Sequence, residues 1–334
     1  MPRALVTGAA GFIGSHLCER LVKDGFSVLG LDSMVNGSDQ NLESLKGSPD
    51  FTLTRTSIKD SMWLLEGSEF DYIFHLAALA DIVPSINNPM SYFENNVMQT
   101  ADLMNACRNM RSLKKLVYAA SSSCYGIPAD AHYPTNESDP IQCEYPYAFT
   151  KCLGEQSVLH WSQVYKIPAI SLRLFNVYGP RARTSGNYGA MFGVFLSQLA
   201  NGAPLTVVGD GNQCRDFTYV TDVVDAFVLA SKSTCKNRVF NIGSGGTYSV
   251  NKIASLLGAK DIVHIPERPG EPAMTFADIS RAKAFLGYRP KISIEDGCRM
   301  MLEHVSDFKT APLWTPEKIE KATSDWFKLL GDRK

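Results

Sequence analysis

The sequence has almost no net charge, no long apolar run and no closely paired cysteines, and each absence removes a class of function. Thirty-three Lys and Arg stand against 34 Asp and Glu, a formal net charge of −1. The charges are dispersed, so neither a nucleic-acid stripe nor a polybasic membrane surface is indicated. No apolar run reaches the roughly 18 residues of a membrane span, and no cationic start with an apolar stretch marks a secretory leader. A cytoplasmic protein acting on small molecules is expected. Its eight cysteines, at 18, 107, 124, 143, 152, 214, 235 and 298, include no Cys-x-x-Cys and mostly interrupt apolar segments. Reduced thiols in packing roles are therefore expected, with no disulfide framework and no metal site. There is no internal repeat and no low-complexity tract. What remains is a chain of 334 residues, long enough for one large domain or two lobes, and two lobes are expected.

What is present begins at once. Ala4 to Val6 is a short apolar run suited to a buried parallel strand, and Ile13, Leu17 and Leu21 recur at the spacing of one helix face. Between them Gly8, Gly11 and Gly14 remove side chains where the chain must turn, where a pyrophosphate must approach the backbone, and where helix must pack on strand. A glycine triplet alone is weak; strand before, helix after and an acid about 20 residues on make it a dinucleotide-binding turn. The acid is Asp32, ending the apolar run Phe26 to Leu31 and placed to accept from an adenine ribose. No cation follows at Ser33, Met34 or Val35, which favours NAD over NADP.

Residues 33 to 50 read as loop with at most a short helix. Phe51 to Thr56 alternates as a strand, and Tyr72 to Ala78 reads as a buried strand ending in small residues, with His75 as a packed core residue. Ser91 to Met110 predicts one long helix with Phe93, Val97, Ala101 and Met104 on one side, and Lys115 to Ser121 predicts the next strand. Such alternation implies a doubly wound α/β fold, a parallel sheet with helices on both faces and a ligand crevice at the carboxyl ends of its strands. Near the C-terminus, Ile294, Cys298, Met301, Val305 and Phe308 form one helical stripe, and Ile319, Ala322, Trp326 and Leu329 another, each expected in core.

The reactive groups lie in the middle of the chain. Pro146 suits the first turn of a helix, placing Tyr147 at its start and Lys151 one turn later on the same face. A tyrosine ionises near pH 10, about three units too high for a base at neutral pH, but a neighbouring ammonium and a positive nicotinamide both favour its phenolate. A serine at the end of the adjacent strand, Ser121, could share the hydrogen bond to the reacting hydroxyl.

Thr7-Gly8-Ala9-Ala10-Gly11-Phe12-Ile13-Gly14, His75-Leu76-Ala77-Ala78, Ser121 before Tyr125-Gly126, and Tyr147 to Lys151 together resemble the extended short-chain dehydrogenase/reductase family, specifically its nucleotide-sugar 4-epimerases. The likeness continues through Leu172 to Arg181, Arg215-Asp216-Phe217, Phe240 to Gly243 and Arg268 to Glu271, and so covers almost the whole chain. It implies a Rossmann sheet with a smaller C-terminal α/β domain, divided as 1–178 for NAD, with roughly 216–245 returning to it, and 179–334 for the sugar nucleotide. Gly8, Gly11, Phe12, Ile13 and Gly14 would cradle the pyrophosphate and Asp32 the adenine ribose. Ser57 and Ile58 would border adenine, with Ser57 standing where many relatives carry an aspartate, so that the contact could shift to Asp60. Leu76, Ala77, Ala78 and Ala80 would line the cofactor cleft beside Asn96. Tyr147 would be the base, Lys151 its electrostatic partner and ribose anchor, and Ser121 the second hydroxyl, with Ser122 and Ser123 as close neighbours. Asn176, Arg215 and Arg268 would take the diphosphate, Glu271 a ribose hydroxyl, and Ser85 and Ser122 further substrate contacts. Thr275, at the sugar-pocket gate, is small enough to leave space for a 2-N-acetyl group. A homodimer through the helices near Ser91 and Tyr147 is also implied.

The reaction this resemblance implies is inversion at C4 of a UDP-hexose or UDP-N-acetylhexosamine through a 4-keto intermediate, with other nucleoside diphosphates left open. Dehydratase relatives carry an Asp-Glu pair just after the catalytic hydroxyl. Ser122 and Ser123 stand there, which disfavours elimination and decarboxylation. A net sugar-nucleotide dehydrogenase is the enzymatic alternative, and an NAD-bound scaffold the non-enzymatic one; intact Ser121, Tyr147 and Lys151 argue against the scaffold.

Overall fold

The computed structural model describes residues 1–127, 132–182 and 190–331. Strand β1 (Arg3–Thr7) passes through the glycine turn into helix α1 (Phe12–Lys23) and returns as β2 (Ser27–Asp32). Gly25, at φ +83°, makes the reversal between them. β3 (Phe51–Arg55), the short α2 (Met62–Glu66) and β4 (Tyr72–His75) follow. Next come α3 (Ile82–Asn87), α4 (Pro89–Phe93) and α5 (Gln99–Cys107), then β5 (Lys115–Ser121), α6 (Pro146–Tyr165) and β6 (Ala169–Leu174).

The second half continues with β7 (Asn176–Tyr178), α7 (Met191–Ala200), β8 (Leu205–Val208), β9 (Cys214–Arg215), β10 (Phe217–Tyr219) and α8 (Val220–Lys232). It then forms β11 (Arg238–Ile242), β12 (Tyr248–Ser249), α9 (Val250–Leu256) and β13 (Ile262–Ile265), and ends in α10 (Ser280–Leu286), α11 (Ile294–Glu303) and α12 (Pro316–Leu330).

Seven strands form one sheet in the order β11-β6-β5-β4-β1-β2-β3, every pairing parallel. Strand order reverses between β1 and β4, the place where a crevice opens at the carboxyl edge. Alternation along β1 sorts the two faces. Ala4 and Val6 pack with Leu17 and Leu21 of α1 and Phe227 of α8, whereas Leu5 packs with Leu103 and Met104 of α5 and Val158 of α6. A separate core joins Phe192 and Phe195 of α7, Val207 of β8, Ile253 of α9 and Met301 of α11, so these later elements carry an apolar interior of their own.

The strand and helix expectations at Ala4, Phe51 and Pro146 correspond to β1, β3 and α6. The strand expected over Tyr72 to Ala78 ends at His75, and the stripe expected from Ile294 to Phe308 is divided between a helix ending at Glu303 and a 3-10 turn over Val305–Phe308, with Val305 only partly buried. Two further elements differ. The long helix from Ser91 is broken: α4 and α5 flank a π-helical turn over Glu94–Met98. One extra residue in that turn rotates the buried face, so Tyr92, Asn96, Thr100 and Leu103 point inward while Phe93, Val97 and Ala101 are only partly covered. The inward Asn96 amide accepts from Leu79 N at 2.8 Å and donates to Leu79 O at 3.0 Å and Thr150 Oγ1 at 3.1 Å. A side chain that polar is invisible to an apolar period. In α12 the buried stripe is Ile319, Thr323, Trp326 and Leu330, with Leu329 56% exposed; the Thr323 hydroxyl is covered because it donates to Ile319 O at 2.8 Å.

Candidate active site

At the end of β1 the glycine turn is built for close approach. Gly8 has φ +72°, and a Cβ there would lie 2.8 Å from Ala77 N; a Cβ on Gly14 would lie 2.0 Å from Gly8 O. No side chain caps α1 and no acid sits in its first turn, which leaves its N-terminal amides and positive dipole end facing the crevice. Twenty-odd residues on, Asp32 accepts from Ala10 N at 2.9 Å and Met34 N at 2.8 Å, so its carboxylate is fixed in place with a lone pair on each oxygen to spare. Turn, helix end and carboxylate all line one cleft of about 830 Å³. This donor set fits the pyrophosphate and adenosine ribose of a dinucleotide, and the Cβ clashes explain why only glycine serves in the turn.

Beside it, His75 is buried and fully partnered. Thr7 Oγ1 accepts from Leu76 N and Ala77 N, so its proton goes to His75 Nδ1 at 2.7 Å, and His75 Nε2 donates to Thr100 Oγ1 at 2.9 Å. Burial, and then the Lys151 charge, push this imidazole down to about 3. It is a neutral strut for the Leu76–Ala80 wall.

The reactive end is assembled by β5 and α6. Pro146 occupies the first turn of α6, which sets Tyr147 and Lys151 facing the cleft. Ser121 ends β5; its Oγ lies 2.8 Å from Ser123 Oγ and accepts from Ser123 N at 3.2 Å. Burial raises the Tyr147 phenol, a hydrogen bond with Ser121 opposes the rise, and the Asp81 carboxylate adds to it. Burial also pushes the Lys151 ammonium down to about 7 against the pull of Glu155. Its Nζ donates to Ala119 O at 2.6 Å and sits 4.4 Å from the Tyr118 ring centroid. Burial thus penalises the charged form of each group.

Across the cleft, Glu271 stands between two guanidiniums. Arg268 Nη1 donates to Glu271 Oε1 at 2.9 Å and Arg215 Nη2 lies 3.5 Å from Oε2, all three side chains largely covered. Burial lowers Arg215, with Glu271 resisting. Two cations sharing one carboxylate leave a net positive site, suited to a diphosphate. Thr275 Oγ1 donates to Asn176 Oδ1 at 2.9 Å and accepts from Asp216 N at 3.1 Å, so this small residue is held by its hydroxyl.

Most of the expected site residues meet at this cleft: Gly8, Gly11, Phe12, Ile13, Gly14, Asp32, Ser57, Ile58, Leu76, Ala77, Ala78, Ala80, Ser121, Ser122, Tyr147, Lys151, Asn176, Arg215, Arg268, Glu271 and Thr275. Two do not. Asn96 sits behind the wall, its amide occupied by Leu79 and Thr150. Ser85 is also outside the lining; it is fully buried on α3 and donates to Ile82 O at 2.6 Å, inside the helix itself. Ser57 Oγ donates to Asp60 Oδ2 at 2.6 Å, which ties the two candidates for the adenine contact together. Residues not foreseen also line it: Asp81, Tyr145, Gln99 and Trp326. Asp81 and Tyr145 adjoin Ala80 and Pro146 in the sequence, whereas Gln99 and Trp326 reach the cleft only through the fold.

Among the described residues no group of His, Cys, Asp or Glu is placed to hold a metal ion, and no helix is long and apolar enough to cross a membrane. All eight cysteines are free thiols.

The chain is similar to known proteins over most of its length. A UDP-glucose 4-epimerase of Mycolicibacterium smegmatis is 36% identical over 309 residues, covering 90% of this chain and 97% of its own length. A crystal structure of UDP-glucuronic acid 4-epimerase from Bacillus cereus with UDP-glucuronic acid and NAD superposes with a TM-score of 0.83 at 34% identity, covering 91% of this chain and 99% of that one. A UDP-N-acetylglucosamine 4-epimerase from Methanobrevibacter ruminantium M1, in complex with UDP-N-acetylmuramic acid, gives 0.82 at 30% identity over 91% and 99%. The model of the NAD dependent epimerase/dehydratase family matches residues 4–243, from the strand before the glycine turn to the last strand of the sheet, and the chain belongs to that family.

Proposed function

We propose that this chain inverts C4 of a UDP-hexose or UDP-N-acetylhexosamine. The observation that carries the reading is the convergence, in one cleft, of the Tyr147–Ser121 pair with the Arg215–Glu271–Arg268 cluster: a proton acceptor beside an anion anchor. Tyr147 takes the C4 hydroxyl proton, Ser121 donates a hydrogen bond to the same oxygen, and Lys151 supplies the charge that favours the phenolate. Arg215 and Arg268 hold the diphosphate, with Asn176 beside them, while the uncharged sugar end stays free to turn about that link. NAD, held by the glycine turn, Asp32 and the Leu76–Ala80 wall, supplies hydride acceptance and return at C4. Tyr147 then returns its proton to the C4 oxygen after the 4-keto sugar has presented its opposite face.

Ser122 and Ser123, where an eliminating enzyme needs acidic groups, support epimerisation over dehydration. Thr275 supports acceptance of a 2-N-acetyl group. The division into a cofactor lobe of 1–178 with 216–245 and a sugar-nucleotide lobe of 179–334 belongs to the same proposal, as does a homodimer through α4, the π-turn and α6, where Met90, Met98 and Phe149 are 71, 51 and 50% exposed. Free thiols throughout suit the cytoplasm.

The test is UDP-glucose deuterated at C4, with UDP-N-acetylglucosamine in parallel. Epimerisation with the label retained on C4, no accumulating reduced nicotinamide, and loss of turnover by about a thousandfold in Tyr147→Phe are expected. Loss of the label to solvent excludes the mechanism, and stoichiometric reduced nicotinamide identifies a dehydrogenase instead.

A further inference from the structure

The last helix reaches the active site. α12 lays Trp326 and Leu330 against Val83 of α3, with Ile82, Ile86 and Tyr145 packed around them, and Leu330 Cδ1 also lies 3.8 Å from where a Gly270 Cβ would be. It thereby touches the wall of the cofactor crevice on one side and the Arg268–Glu271 segment on the other. Trp326 is 2% exposed and lines the cleft. Its Nε1 donates to Pro269 O at 2.6 Å, and the Arg268 guanidinium carbon lies 5.7 Å from its ring centroid. The Tyr145 ring lies 6.4 Å from the indole at an inclination of 53°, and Tyr145 is parallel to Tyr147 within 7° at 6.4 Å. The helix lies beyond the family match at 4–243, and relatives spanning 96–98% of their own length cover only about nine-tenths of this chain.

We propose that Trp326 is a positioning residue of the active site, an indole carried in by the C-terminal helix that sets Arg268, one anchor of the substrate diphosphate, in register with the Tyr145–Tyr147 pair. The physical reason lies in the order of the contacts. An arginine in a cleft has many rotamers, and an aromatic face beside it removes most of them while adding a cation–π attraction. A carbonyl bond at Nε1 fixes the indole, and the same indole bounds the ring that lies along the base. Anchor and proton acceptor are thus both referred to one fixed ring, and a misplacement of about 1 Å between such groups lowers turnover steeply.

This inference rests on the proposed UDP-sugar chemistry, and the experiment separates the two. UDP affinity is measured by calorimetry on the full chain as purified with NAD, alongside kcat and KM for UDP-glucose, in the parent, Trp326→Ala and Trp326→Phe. In Trp326→Ala, UDP binding weakens and KM rises, each by about tenfold, with kcat falling as well. Trp326→Phe keeps a ring for Arg268 but loses the Nε1 bond, and lies between the two. UDP changes the tryptophan emission of the parent and not of Trp326→Phe, a signal that general loosening of the fold would not remove. Failure of the functional reading shows in the parent, which would epimerise no UDP-sugar, while the UDP arm still judges the inference. UDP affinity and KM within twofold of the parent in Trp326→Phe, with the emission change retained, overturn it whether or not Trp326→Ala folds.

Discussion

Arg173 grips Glu155 with the Nε–Nη2 edge of its guanidinium: Nη2 lies 2.6 Å from Oε1 and Nε 3.1 Å from both oxygens, each side chain about 5% exposed or less. The pair joins β6 to α6 one turn past Lys151. Ser171 Oγ completes the carboxylate at 2.7 Å, and Arg173 Nη1 donates at 2.8 Å to the Tyr125 hydroxyl, which donates to Asn241 Oδ1 at 2.7 Å. The turn carrying Ser121 and the helix carrying Tyr147 are therefore held by one cation. Arg173→Met leaves a buried carboxylate unpaired and costs about 3–5 kcal/mol, whereas Arg173→Met with Glu155→Leu recovers most of the loss. Urea unfolding of the two variants checks the ordering.

Among the neighbours of the Tyr147 phenol, Ser121 and Asp81 act on it in opposite directions. Ser121 favours the phenolate and Asp81 disfavours it. With the phenolate as base, kcat/KM rises with pH through the phenol's titration. Ser121→Ala raises that pKa and moves the acidic limb to higher pH, and Asp81→Asn lowers it and moves the limb to lower pH. Equal profiles for the two variants would remove Tyr147 as the titrating base.

Burial of His75 has a consequence for acid stability. Its folded pKa is pushed down from 6.5 to about 3, so below pH 6.5 the unfolded chain takes up the proton first. The contribution is whole above that pH and is lost as the pH falls toward 3, at about 1.4 kcal/mol per unit where the slope is full. His75→Gln, which can still bond Thr7 or Thr100 and does not titrate, shows a shallower fall in urea midpoint over this window than the parent.

Gly14→Ala tests the cofactor turn. Its Cβ would stand 2.0 Å from Gly8 O, a backbone atom with no freedom to yield. The expected protein retains its sheet by circular dichroism but purifies without NAD, and its melting temperature ceases to respond to added NAD. A variant that binds NAD as the parent does would show that α1 can withdraw from the turn.

Much of this was legible in the chain because it depends on neighbours in sequence. The glycine turn, Asp32 one strand later, and Tyr147 and Lys151 on one turn of a Pro-started helix are local patterns, and local sterics and hydrogen bonding produce them wherever the sequence occurs. What lies far apart in the chain was decided by tertiary packing. The π-turn that turns Asn96 away from the cleft depends on the backbone of Leu79 and on Thr150 of a different helix. Glu271 is divided between Arg215 and Arg268 only because β9 and the 268–271 loop meet. Trp326 falls on a helical stripe that spacing assigns to core, and it is indeed buried, yet the surface it buries against is the active site. Apolar period reports that a side chain leaves water; only the folded chain determines what it meets there.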